Sequence, residues 1–264
     1  MFYHNIDPIL VDLGFAQIRY YGLFYVIGFL FSYFYFRFLI RQKKIDIDYD
    51  ELDSLFVYVI LGLILGARLF YTIVYDPAYF LANPIKIFAV WQGGLSFHGG
   101  LIGMMIAAYI FAKRNRVDFL DLADTAVIPA ALCLALGRIG NFINGELYGR
   151  ITDVPWAVKF PGAEGFRHPS QLYESFKNIV IFSILSYFYF CKKKFPKGFF
   201  LWLFVTLYPL FRFFVEFYRE PDQQLGFLIF NLTMGQLLSI IMFGIGIVML
   251  FKTLNIKHKK KKDK

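Results

Sequence analysis

The chain has 264 residues, of which 58% are hydrophobic and 21% aromatic, and its formal net charge is +9. A soluble domain carries about 45–50% apolar residues, and this excess, with a mean hydropathy of +0.53, excludes that class. The basic balance does not point to nucleic acid, because the lysines gather in short loops and at the C-terminal end, where they set membrane orientation.

Several apolar runs are long enough to cross ~30 Å of hydrocarbon, which takes about 20 residues each. A lipid-exposed backbone must satisfy its own hydrogen bonds, so the spans are helices. The sequence predicts an all-α polytopic membrane protein with about seven transmembrane helices in a single integral membrane domain, 1–264. Residues 1–18 read as a short amphipathic lead-in without the basic region of a cleavable signal peptide. The first span covers 20–40 and ends in Arg41-Gln42-Lys43-Lys44, and an acidic linker follows at 46–53. The second span covers 54–75. Asp76-Pro77 and Asn83-Pro84 then break the helical pattern. Past Trp91-Gln92-Gly93-Gly94-Leu95-Ser96-Phe97-His98-Gly99-Gly100, the third span runs to 112 and stops at Lys113-Arg114-Asn115-Arg116.

The fourth span covers 118–136, with Pro129 expected to bend it. Asp118, Asp121 and Asp124 read as helix-start acids favoured by the helix dipole. Residues 138–174 form the longest polar insertion, and Pro155, Trp156, Pro161 and Pro169 mark it as a small ordered cap. The fifth, sixth and seventh spans cover 175–191, 198–218 and 232–251, and 252–264 is a basic tail. The ends of spans one, three, five and seven carry most of the 28 lysines and arginines. By the positive-inside rule those ends are cytoplasmic, so the N-terminus is outside, the C-terminus inside and the cap extracytoplasmic. Cys133 and Cys191 lie in apolar runs and read as packing residues. The histidines are scattered without ligand spacing, so no metal is implied, and no nucleotide loop appears.

The polar chemistry gathers on the outer side, in three stretches. The first is Gly137-Arg138-Ile139-Gly140-Asn141-Phe142-Ile143-Asn144-Gly145-Glu146-Leu147-Tyr148-Gly149. Arg138 and Asn141 share a helical face, and the glycines let the chain turn and return Asn144 and Glu146 to the same space. An arginine at this depth suits a phosphate, since its planar fork keeps its charge and presents fixed donors. The second is Tyr208, Arg212, Glu216 and Arg219, whose spacings of four, four and three make one stripe on an otherwise apolar helix. Such a stripe faces protein or water, not lipid. The third is His98, flanked by glycine pairs, a residue type suited to moving a proton near neutral pH. Weaker signals are Tyr20-Tyr21-Gly22, the buried-looking Arg68, for which a carboxylate partner is the ordinary expectation, and His168-Pro169-Ser170-Gln171-Leu172-Tyr173-Glu174.

These motifs resemble the prolipoprotein diacylglyceryl transferases. The first stretch matches that family's Gly-Arg-x-Gly-Asn-Phe-x-Asn-x-Glu-x-x-Gly at every fixed position. The His-Gly-Gly at 98–100, the aromatic-Tyr-Gly at 20–22, Arg68 and the Arg-Phe-x-x-Glu-x-x-Arg-x-Pro-Asp at 212–222 follow the family in order and spacing. The one departure nearby is Tyr148, where family members often have tryptophan. The resemblance implies transfer of the diacylglyceryl group of phosphatidylglycerol to the lipobox cysteine of a prolipoprotein, forming a thioether and releasing glycerol phosphate. It implies a bacterial cytoplasmic (inner) membrane location, an active site toward the outer leaflet and no cofactor. Arg138 and Arg212 are the expected stabilisers of the leaving phosphate, and His98 the expected base. Tyr21, Asn141, Asn144, Glu146, Gly149, Tyr208, Glu216 and Arg219 are expected to shape the substrate site. Two other classes compete with this reading: an anion path lined by Arg68, Arg138 and Arg212, and a seven-helix receptor. The halves show no repeat and the polar residues favour one face, which disfavours a transporter. The seventh span has no lysine for a retinal Schiff base.

Overall fold

The computed structural model describes residues 1–14, 17–191, 194–221, 228 and 232–262, so Asp222 of the last motif lies outside the described residues. The described chain is mostly helical: α1 (Tyr20–Arg41), α2 (Tyr49–Val74), α3 (Pro77–Ala82), α4 (Phe97–Arg114), α5 (Phe119–Ile143), α6 (Ser170–Phe190), α7 (Phe199–Val215) and α8 (Met234–Lys262). Among the described residues, α1, α2, α5 and the Met234–Asn255 part of α8 are long and apolar enough to cross a membrane, and α7 is a shorter apolar helix. The chain forms two compact units, one of Tyr33–Leu122 and one of Met1–Ser32 with Ala123–Lys264.

In the Tyr33–Leu122 unit, α2 begins on a capping box. Asp48 Oδ1 accepts from the Glu51 N–H at 2.8 Å, and Glu51 Oε2 accepts from the Asp48 N–H at 3.0 Å. This satisfies two of the helix's orphan donors. Helices α2 and α4 then pack backbone to backbone. A Cβ on Gly66 would lie 2.7 Å from Gly103 Cα, and one on Gly62 would lie 2.6 Å from Ala107 Cβ. In lipid there is little hydrophobic force between helices, so close approach through small residues is what holds them. The glycines around His98 therefore serve packing. Gly93 and Gly94 have positive φ of 85° and 74°, and both give their carbonyls to Arg68 Nη1, at 2.6 and 3.0 Å. Arg68 Nε and Nη2 donate to the carbonyls of Ile87 and Lys86, at 2.8 and 2.5 Å. Its described hydrogen-bond partners are thus carbonyls of the 3-10 turn Pro84–Phe88 and of Gly93 and Gly94, rather than the expected carboxylate, and its guanidinium lies 5.0 Å from the centre of the Phe80 ring.

In the second unit the lead-in is not a simple amphipathic segment but three short strands. β1 (Phe2–Tyr3) pairs in parallel with β4 (Val158–Lys159), and β2 (Ile9–Asp12) pairs antiparallel with β3 (Gln17–Arg19). The β1 pairing ties the N-terminal segment to the polar insertion, whose core is Val158, Phe160 and Ala163 packed on Phe142 and Tyr148. His4 is buried beside it, with Nε2 2.8 Å from the Phe142 carbonyl. Helix α5 runs past the expected end of its span, so that Arg138 and Asn141 are helical, and α6 starts at Ser170 rather than 175. Asp118 does cap α5, accepting from the Leu120 N–H at 2.8 Å. Asp124 instead caps a different helix, α7, accepting from the N–H groups of Gly198 and Leu201 at 2.7 and 2.8 Å. Cys133 packs on Gly28 and Ser32.

Gly103→Val should destabilise the protein by about 1–3 kcal/mol through overpacking against α2, read as a lower thermal midpoint in detergent. Gly244, around which an added Cβ meets nothing within 4 Å, should accept alanine with an unchanged or slightly raised midpoint.

Candidate functional site

The first half of the site is built where α5 ends. Arg138 Nη1 donates to Asn141 Oδ1 at 3.4 Å across one helical turn. After Ile143 the chain reverses through Gly145 and Leu147, both with positive φ, 67° and 56°. The reversal returns Glu146 to the helix end. Its Oε1 accepts from Asn141 Nδ2 at 2.8 Å and from Asn144 Nδ2 at 3.1 Å. The first turn of α6 grips the same reversal: Gln171 Nε2 donates to the Glu146 carbonyl at 2.6 Å, and Ser170 Oγ to the Leu147 carbonyl at 3.0 Å. Gly140 lets α1 come close, since a Cβ there would lie 2.7 Å from the Tyr21 ring and 3.3 Å from its Cα. The Tyr21 hydroxyl is 3.1 Å from that of Tyr25.

The second half comes from α6 and α7. Arg212 Nη2 pairs with Glu216 Oε2 at 2.6 Å, one turn along, while Nη1 pairs with Glu174 Oε1 on α6. The other oxygen of Glu174 lies 3.8 Å from Arg138 Nε and 3.2 Å from Lys177 Nζ. Lys177 Nζ is 3.8 Å from the centre of the Tyr208 ring. Thr233 Oγ1, just before α8, donates to Glu216 Oε1 at 3.0 Å. Glu174 is only 2% exposed. One buried carboxylate therefore joins the two arginines that the sequence put on separate helices. Isolated, it would be prohibitively costly to bury as an ion; among cations it is stable.

The structure brings Arg138, Asn141, Asn144 and Glu146 into one hydrogen-bonded group, and Tyr208, Arg212 and Glu216 into the adjoining one. Gly149 and Arg219 meet elsewhere in this unit, in a backbone bridge. A side chain on Gly149 would press on His168, whose carbonyl accepts the Gly149 N–H at 2.9 Å. Gly149 thus closes the insertion on itself. Burial holds the His168 imidazole below its ordinary pKa, and its Nδ1 lies 3.1 Å from the Tyr173 hydroxyl. His98 belongs to the other unit. It is exposed in the first turn of α4, its ring 5.8 Å from that of Phe97.

Sequence reasoning missed the centre of the cluster. The sequence marks Glu174 only as the end of the 168–174 segment that leads into the fifth span, and it does not single out Lys177. A signal was present: Ser170, Gln171, Glu174, Lys177 and Asn178 recur at helical spacing and are all buried. Chemically, the cluster presents guanidinium donors from two helices around buried carboxylates, an arrangement suited to an anionic oxygen ligand.

Residues 8–252 match the family model described as prolipoprotein diacylglyceryl transferase. The chain is also similar to proteins named phosphatidylglycerol–prolipoprotein diacylglyceryl transferase. One, from Geobacter sulfurreducens, is 46% identical over 94% of this chain and 96% of its own length. Another, from Rickettsia canadensis, is 45% identical over 93% of this chain and 96% of its own. A third, from Wolbachia pipientis subsp. Culex pipiens, is 44% identical over 97% of this chain and 98% of its own. With a match that spans nearly its whole length, the chain belongs to the prolipoprotein diacylglyceryl transferase family.

Proposed function

We infer that this protein is a phosphatidylglycerol–prolipoprotein diacylglyceryl transferase, which lipidates the lipobox cysteine thiol of prolipoproteins. The observation that carries the site assignment is the joining of Arg138 and Arg212 through buried Glu174. In the reaction the cysteine thiolate attacks the glyceryl carbon that bears the phosphate oxygen. A carbon–sulfur bond forms, the carbon–oxygen bond breaks, and its electron pair leaves on glycerol phosphate. Negative charge grows on that oxygen, and fixed cationic donors in a dry site lower the barrier most. Arg138 and Arg212 take that role. Tyr21, Asn141, Asn144 and Glu146 shape the head-group site, with Tyr208 and Glu216 fixing Arg212, and Gly149 and Arg219 closing the insertion above it. His98 takes the thiol proton.

The long helices α1, α2 and α4 to α8 form seven spans. The lysine-rich ends of α1, α4, α6 and α8 are cytoplasmic, so the N-terminus and the extracytoplasmic cap 138–174 lie outside and the basic tail 252–264 inside. The enzyme works in the bacterial cytoplasmic membrane, with the site toward the outer leaflet.

In phosphatidylglycerol vesicles with a lipobox peptide, wild type should release glycerol phosphate only when both lipid and cysteine are present. Arg138→Ala and Arg212→Ala should each lower the rate by about 100-fold or more. No release from folded wild type would move an arginine-lined anion path to the front. His98→Gln should flatten the rise of rate with pH; near-normal turnover across the range removes His98 as the base.

A further inference from the structure

Lys177 lies outside every motif that pointed to the site, yet it is among the most enclosed ionisable groups in the described chain. Its side chain is 4% exposed, one turn along α6 from Glu174. Its ammonium contacts one Glu174 oxygen at 3.2 Å and sits 3.8 Å over the Tyr208 ring. A lysine at this position is a compact point charge without the second arm of an arginine fork, and the ring face helps to hold it.

The charge count shows what it does. Among the described residues, the cluster around buried Glu174 holds three cations, the half-buried Arg138 and Arg212 and the buried Lys177, against two buried carboxylates, Glu174 and Glu216. Glu146, the next carboxylate along, is exposed and takes its hydrogen bonds from Asn141 and Asn144. The enclosed set thus carries one surplus positive charge. Remove Lys177 and the two arginines are matched by the two glutamates, with nothing left over. A surplus charge in a poorly solvated place is costly until an anion arrives, and a phosphodiester brings one negative charge.

We propose that Lys177 is a positioning residue for the lipid phosphate: it engages Glu174, so that the charge of Arg138 and Arg212 is free for a singly anionic phosphodiester. This rests on the transferase reading above. A merely structural lysine would alter stability and leave affinity for the anion alone.

The test uses the full-length protein in detergent micelles of varied phosphatidylglycerol content, with a lipobox peptide as acceptor. Lys177→Met should raise KM for the lipid roughly ten- to a hundredfold, while kcat changes by less than about threefold. Lys177→Arg should restore KM to near wild type. Glu174→Gln/Lys177→Met, which brings back the surplus of one positive charge, should recover most of the affinity. Calorimetric binding of glycerophosphoglycerol, a singly anionic phosphodiester, to the same variants should follow the same order, and it decides the matter even for a wild type that shows no transfer. Thermal midpoints identify any variant that fails to fold; should Lys177→Met be one, the folded double variant is compared with wild type. Equal anion binding in wild type and Lys177→Met, weak binding by the folded double variant, or no anion binding by wild type would each overturn the proposal. Absence of transfer with anion binding intact would instead count against the transferase reading alone.

Discussion

The unit that holds the signature depends on one buried carboxylate. Glu174 sits 2% exposed near the start of α6, within reach of Arg138 on α5, Lys177 on its own helix and Arg212 on α7. Taking an ion out of water costs several kcal/mol after relaxation, and only close partners offset that. The dependence runs both ways, because the enclosed cations have no better described counter-charge than Glu174 and Glu216. Three helices are therefore registered to one another by charge. Sliding any of them by a turn would leave an ion stranded, a far larger penalty than shifting one leucine along another in an apolar surround.

The Tyr33–Leu122 unit solves the same problem without charge. Helices α2 and α4 meet through Gly62, Gly66, Gly99 and Gly103, where side chains are absent and backbones touch. Its one buried guanidinium, Arg68, spends its donors on four backbone carbonyls of the loop that leads to α4. Those carbonyls belong to the short turns between α3 and α4, where regular α-helical bonding is missing, and a fixed fork of donors meets four of them at once. An arginine inside a membrane protein is thus not by itself a ligand site. Arg68 is occupied by backbone carbonyls, while Arg138 and Arg212 meet carboxylates.

How much of this was readable beforehand follows from where each partner lies in the sequence. Arg138 with Asn141, and Arg212 with Glu216, are one helical turn apart, and the sequence alone placed them together. The helix cores were equally plain from their apolar runs. What stayed hidden was non-local. No spacing rule links Glu174 to Arg212, 38 residues on, or Asp124 to the N-terminus of α7, more than 70 residues away. The strand pairing of Phe2 and Tyr3 with Val158 and Lys159 is hidden for the same reason: two-residue strands carry no period, and their stability comes from the partner. Arg68 misled because an arginine satisfied by carbonyls leaves no acidic residue in the sequence to mark its partner.

The two arginines are also unequal, and the inequality has a direction. The Arg138 side chain is 23% exposed and that of Arg212 13%. Arg212 is gripped by a carboxylate at each terminal nitrogen, with Glu216 further fixed by Thr233. Arg138 approaches Glu174 at 3.8 Å, bonds Asn141 at 3.4 Å and meets the Tyr208 side chain. A guanidinium has five N–H donors, and the loosely held one commits fewer of them to carboxylates. Arg138 is thus the more loosely held of the two guanidiniums, and Arg212 the more firmly fixed. The glycines beside Arg138 fit the same division, since Gly137 has no heavy atom within 4 Å of an added Cβ while Gly140 is pressed against Tyr21. One face of the helix end is left open beside the arginine, and the other is clamped to α1.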